Sequence, residues 1–128
     1  MPDQLRAIPY SVRPVSPGQW FIVSETAIPQ DALRGMLESL APEAVGIDQS
    51  HGRVRIAISG PTVERTLAKG TGVDLALSTF PIGHATTTLF GHIAAHLTRI
   101  DETSFELIVL RGFAESLWDD LLRMSLTA

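Results

Sequence analysis

Apolar residues recur along this chain at two spacings. Leu33, Met36, Leu37 and Leu40 follow the three-and-four rhythm of a helix, with Arg34 and Glu38 on the other side. Pro29 suits the first turn of that helix and Pro42 stops it. Phe113, Leu117, Leu121 and Met124 form a second helical stripe, flanked by Trp118 and Leu122, with Asp119, Asp120 and Arg123 on or near the polar side. Between them the rhythm changes to two. Val54, Ile56 and Ile58 alternate with Arg53, Arg55 and Ala57, as a strand with one buried face requires. His51-Gly52 marks the tight point of a hairpin over residues 44–59. Gly60-Pro61 ends the return strand and opens a helix through Val63 and Leu67, closed by Lys69-Gly70.

The remaining segments are read the same way. Ala7 to Val15 carries Pro9 and Pro14, which lack the N–H a central ladder needs, so it is expected to be an edge strand or an extended arm. Trp20 to Ser24 is expected to be a buried strand after the Ser16-Pro17-Gly18 turn. Residues 73–83 are a connector with a short extended piece. Ala85 to Ile100 has no proline and many threonines, which predicts one long strand with Leu89, Ile93 and Leu97 on its apolar face. After the turn at Asp101-Glu102-Thr103, Phe105 to Arg111 is apolar on both faces between Leu107 and Leu110. Such a run belongs in the middle of a covered sheet or beneath a partner. The predicted order is β-β-α-β-β-α-β-β-α. The fold class is α+β, an antiparallel sheet with helices packed mainly on one face. A length of 128 residues fits a single domain over residues 1–128.

Composition narrows the function. Hydrophobic residues make up 45% and charged residues 19%, which is the balance of a globular protein. The absence of cysteine removes disulfides and thiolate metal sites, and it suits a reducing compartment. The net charge of -4, with scattered Lys and Arg, offers no basic field for nucleic acid. Met1-Pro2-Asp3-Gln4 lacks a signal-peptide start, and no apolar run reaches the roughly 20 residues a bilayer span needs. The expectation is a cytoplasmic protein with no membrane contact.

Several clusters invite a catalytic reading. Asp48, Ser50 and His51 combine acid, nucleophile and base. On a strand, however, Asp48 and Ser50 point one way and His51 the other, whereas a triad needs the base between its partners. His92 and His96 are four apart without an intervening glutamate. On one strand they would share a face about 13 Å apart, at roughly 3.3 Å per residue, too far for one metal even if His84 joined them. Gly70-Thr71-Gly72 lacks the third glycine and the strand-then-helix setting of a dinucleotide loop. Asp101-Glu102 and Asp119-Asp120 are ordinary solvated surface. No catalytic, cofactor-binding or metal residue is assigned. The candidate functional residues are instead interface residues: Ile108, Leu110, Arg111, Phe113, Trp118, His92 and His96.

Several segments, in order, carry a family resemblance. Asp48-Gln49-Ser50-His51-Gly52-Arg53, running on to Ser59-Gly60-Pro61, is similar to the strand–SGP–helix segment of the folate-binding aminomethyltransferase fold. Leu67-Ala68-Lys69-Gly70, Val73-Asp74-Leu75 and Phe80-Pro81-Ile82-Gly83 follow. Leu97-Thr98-Arg99-Ile100-Asp101 and the final run from Phe105 through Arg111-Gly112-Phe113 to Leu122 complete the set. From Val45 to Leu122 the chain resembles the gamma subunit of heterotetrameric sarcosine oxidase. The resemblance implies an aminomethyltransferase-like fold and a non-catalytic subunit with alpha, beta and delta partners. It implies FAD, FMN, NAD and zinc on other subunits, none on this chain, and possible self-association when the chain is isolated. It implies a complex that oxidises sarcosine to glycine, forms hydrogen peroxide and passes a one-carbon unit to tetrahydrofolate. Two alternatives stand beside it. One is a folate-binding one-carbon-transfer domain using Asp48, Asp74 or Glu106; the other is a small metalloprotein using His84, His92 and His96.

Overall fold

The computed structural model describes residues 10–126. Ala7 to Pro9 of the expected first strand, and the Met1–Gln4 start, lie outside the described residues. The elements are β1 (Tyr10–Ser16), β2 (Gln19–Ser24), α1 (Gln30–Leu40), β3 (Arg53–Ser59), α2 (Val63–Ala68), β4 (Ala85–Phe90), β5 (Ile93–Asp101), β6 (Ser104–Leu110) and α3 (Ala114–Leu126). A 3₁₀ turn, Arg111–Phe113, leads into α3. The α+β class holds, with two antiparallel sheets instead of one. β1 and β2 form a two-stranded ribbon, and the second sheet has the order β3-β6-β5-β4.

Three expectations are corrected. The 44–59 hairpin has no outgoing strand: residues 44–49 are irregular, and β3 pairs with β6 from Arg53↔Leu110 to Ser59↔Ser104. Gly46 explains part of this. A Cβ there would come within 2.1 Å of Leu37 Cδ2, so α1 packs directly on this backbone and holds the segment away from a ladder. The long strand from Ala85 is broken at Gly91-His92 into the hairpin β4–β5, with Phe90 opposite Ile93. Gly91 takes φ +61, the positive value that the first central residue of a tight hairpin turn needs. Because the chain folds back there, Leu89 lies on the opposite face from Ile93 and Leu97 and is exposed. The connector 73–83 forms no strand, yet Leu75 and Phe80 are buried in the core.

The four-stranded sheet has two unlike faces. On one, Ile56, Phe90, Leu97, Phe105, Leu107 and Val109 pack with Val63 and Leu67 of α2 and Leu117 and Leu121 of α3. The helical stripes predicted for these segments supply the facing side chains, and burial of each large aliphatic contributes about 1.5–3 kcal/mol. Arg99 is embedded in this same layer. Its guanidinium donates to Glu64 Oε1 at 2.7 Å and to the carbonyls of Glu102 and Leu75, and it lies 4.5 Å over the Phe105 ring. One side chain thus ties α2, the 73–83 connector and the β5–β6 turn together.

Candidate functional site

The other face of the sheet is polar and carries the ribbon. Antiparallel register puts Thr98 opposite Glu106 and His96 opposite Ile108. It also puts Arg55 beside Ile108 on the neighbouring strand. Arg13 of β1 descends onto this layer, 6% exposed, and its guanidinium reaches Glu106 Oε1 at 2.6 Å. Arg55 lies 3.6 Å from the same oxygen and holds Glu25 with two hydrogen bonds of 2.7 and 3.0 Å. His96, 3% exposed, lies 2.7 Å from the Pro14 carbonyl through Nε2. A carbonyl only accepts, so Nε2 carries the proton. Phe21 of β2 meets the His96 ring edge-on at 5.1 Å, and the Arg53 guanidinium stacks over Phe21 at 5.2 Å. Burial holds the His96 pKa below its usual 6.5, opposed by the Pro14 hydrogen bond and aided by the charges of Arg13 and Arg53.

The consequence for the ribbon is an inversion. Pairing places Arg13 beside Phe21 on the inner face, and Val12 beside Ile22 and Pro14 beside Trp20 on the outer face. Trp20 is 58% exposed, and Val12 and Ile22 are exposed as well. Trp20 to Ser24 is therefore not the buried strand that its composition predicts. An arginine faces inward while a tryptophan, an isoleucine and a valine face out, the reverse of the usual distribution. A second apolar area lies at the far edge of the sheet. Ile56 and Ile58 of the edge strand β3 line a groove of about 340 Å³ with Trp118, Leu121 and Leu122 of α3. Trp118 is 51% exposed and Leu122 is exposed beside it.

The residues singled out in the sequence fall into two sets. Leu110, Phe113 and Trp118 are exposed near the end of β6 and along α3. Arg111 is exposed there too; its Nε donates to the His51 carbonyl at 2.7 Å and pins the 50–52 turn. His92 is exposed in the β4–β5 turn and does not share a strand face with His96. Ile108 and His96 are buried on the ribbon side of the sheet, within this chain. Sequence reasoning missed Val12, Trp20, Ile22 and Leu89. Trp20 to Val23 is a continuous apolar run, and such a run does not say which face turns inward.

The clusters considered for chemistry do not assemble into a reactive site. Ser50 donates both its hydroxyl and its backbone N–H to Asp48 Oδ1, at 2.6 and 2.9 Å. Those bonds, with the nearby His51, hold the Asp48 carboxyl below its usual range, and the whole arrangement is a solvent-exposed turn. Asp74 accepts from the Ala76 N–H, while Glu106 is engaged by Arg13, so the three carboxylates proposed for a pterin serve separate structural tasks. His84 meets the Phe80 ring edge-on, with centroids 4.6 Å apart. No cluster of three or more His, Asp or Glu suited to a metal occurs among the described residues. Gly70-Thr71-Gly72 follows α2, and Thr71 Oγ1 bonds Thr88 at 2.8 Å. No helix among the described residues is long and apolar enough to cross a membrane.

Comparison with known proteins places the fold in a family. The fold is similar to a chain of the heterotetrameric sarcosine oxidase from Corynebacterium sp. U-96, solved in complex with pyrrole 2-carboxylate. The TM-score is 0.78 at 23% identity, over 93% of this chain and 63% of that one. This chain thus spans less than two thirds of the length of that relative. No curated protein matches it. Residues 7–126 match the family described as sarcosine oxidase, gamma subunit family. With that match running over nearly its whole length, the chain belongs to the sarcosine oxidase gamma subunit family.

Proposed function

We propose that this chain is a non-catalytic gamma-type subunit of a heterotetrameric sarcosine oxidase-like flavoenzyme. The observation that carries the reading is the inverted ribbon, which turns Val12, Trp20 and Ile22 outward and Arg13 inward. Grouped exposed apolar side chains mark a surface that a partner covers, and family membership names the kind of assembly that would cover it. In this reading the chain folds as a single domain, with an aminomethyltransferase-like arrangement, in the cytoplasm. Its partners are the alpha, beta and delta subunits, which carry FAD, FMN, NAD and zinc. The complex oxidises sarcosine to glycine and hydrogen peroxide and passes a one-carbon unit to tetrahydrofolate. The contribution of this chain is contact area, centred on Trp20 and on the Leu110, Phe113 and Trp118 group.

Affinity capture of the tagged chain from its own host tests this. Co-elution of two large subunits with a visible flavin absorption supports the assignment. Recovery of the chain alone and colourless overturns it. No specific observation favours a stand-alone folate domain.

A further inference from the structure

The joint between the ribbon and the sheet is built unlike the rest of the molecule. A two-stranded ribbon is marginal without something to pack on. This one rests on the sheet through the Arg13–Glu106 ion pair, the His96–Pro14 hydrogen bond, the Phe21–His96 ring contact and the Arg55–Glu25 pair. His96 is at the centre of that joint. Arg13 faces it from β1, and Arg53 and Arg55 lie on β3. Glu106 is the carboxylate on β6, already engaged by Arg13 at 2.6 Å and approached by Arg55 at 3.6 Å. β2 presents Phe21, and β4 presents the uncharged Thr87 opposite the histidine. Glu25, just past β2, is held by Arg55. The surroundings of His96 are thus three arginines and two carboxylates that are each already paired.

A proton on this histidine would go to Nδ1, which is buried and has no hydrogen-bond partner among the described residues. The resulting N–H⁺ would have no acceptor and would stand beside Arg13 and Arg53. Undocking the ribbon would return it to water. We propose that the β1–β2 ribbon is a pH-operated flap: protonation of His96 releases it from the sheet, while the sheet and its helices remain folded. The docked state disfavours the charged ring, and the undocked state leaves the ring near its ordinary value of 6.5. The undocked state therefore binds more protons, so docking is complete above 6.5 and weakens as the pH falls below it. The dry helix-side core carries no histidine, so it lacks the corresponding response.

Hydrogen exchange of the full chain, corrected for the intrinsic rate and followed from about pH 7.5 to about pH 5.5, where histidine changes charge, tests the flap. Amides of residues 10–24 should lose protection by up to about tenfold per pH unit below the onset, while amides of residues 105–109 keep theirs. Uniform protection of residues 10–24 across the range overturns the proposal, as does a parallel loss in both regions. His96→Gln keeps a side chain able to donate to the Pro14 carbonyl and does not titrate, so the ribbon's pH response should vanish in it. A persisting response overturns the assignment to His96. Should that variant fail to fold, NMR titration of the His96 ring in the unaltered chain decides. Its midpoint must lie below 6.5, within the range over which ribbon protection falls, and a midpoint at or above 6.5 overturns the proposal. None of these readouts involves a partner, so failure here and failure of the subunit reading are separable.

Discussion

The two faces of the four-stranded sheet solve the same problem by opposite means. On the helix side, Leu97, Phe105, Leu107 and Val109 are fully buried against α2 and α3, and apart from the Arg99 hydrogen bonds the attraction is non-directional. On the ribbon side, the same strands present His96, Thr98, Glu106 and Ile108, and Arg13 is brought in from β1 to match them. A dry apolar layer tolerates small shifts and contributes stability in proportion to area. A buried ionic layer contributes little net stability, because desolvation offsets the attraction, but breaking it leaves an uncompensated charge. The helix side holds the domain together. The ribbon side sets where one particular piece sits, and it turns that piece's apolar face to the outside.

The contrast can be broken from either side. Leu107→Ala should cost about 2–5 kcal/mol, from lost transfer energy and the cavity left behind, and should lower the urea midpoint of the whole chain. A smaller, local effect is expected from Glu106→Gln. Arg13 loses its buried carboxylate, at about 1–3 kcal/mol, and the loss should appear in exchange of residues 10–24 before it appears in global unfolding. If Glu106→Gln lowers core and ribbon protection equally, the two faces are not the separate structures described. Trp20→Ser should leave stability within about 0.5 kcal/mol, because the ring is exposed on the outer face. It should weaken capture of the partner subunits by about tenfold or more, as loss of an aromatic anchor does. The smallest effect belongs to Arg34→Ala on α1. Its pair with Asp31 spans 3.8 Å in full solvent, and thermal unfolding should not move by more than about 0.5 kcal/mol.

The α3 stripe was legible because a helix encodes its own buried side locally. Leu117 and Leu121 are inward as the spacing requires, and Trp118 and Leu122 beside them are exposed. The apolar run of β6 was legible as a central strand for a similar reason, since only a strand covered on both faces carries Leu107, Ile108 and Val109 in succession. The β4–β5 turn was not. Gly91 was a visible break, but the β-branched run around it argued for continuity, and the choice depends on whether Phe90 can face Ile93 across a hairpin. The interface candidates divide along the same line. Leu110, Phe113 and Trp118 could be read from an excess of apolar residues at one end of the chain. Trp20 could not, because its exposure is set by an arginine seven positions earlier meeting a glutamate on another sheet.

By itself the sequence determined the α+β class, the three helices found among the described residues and the absence of thiol chemistry, because each of these rests on residue identity or on spacing within one segment. The tertiary structure alone decided that β3 pairs with β6, that the ribbon is a separate sheet and that its charged face turns inward. Period-two alternation says that a strand has two faces. Only the partner across the sheet, here Glu106 for Arg13 and His96 for the Pro14 carbonyl, decides which of them is buried.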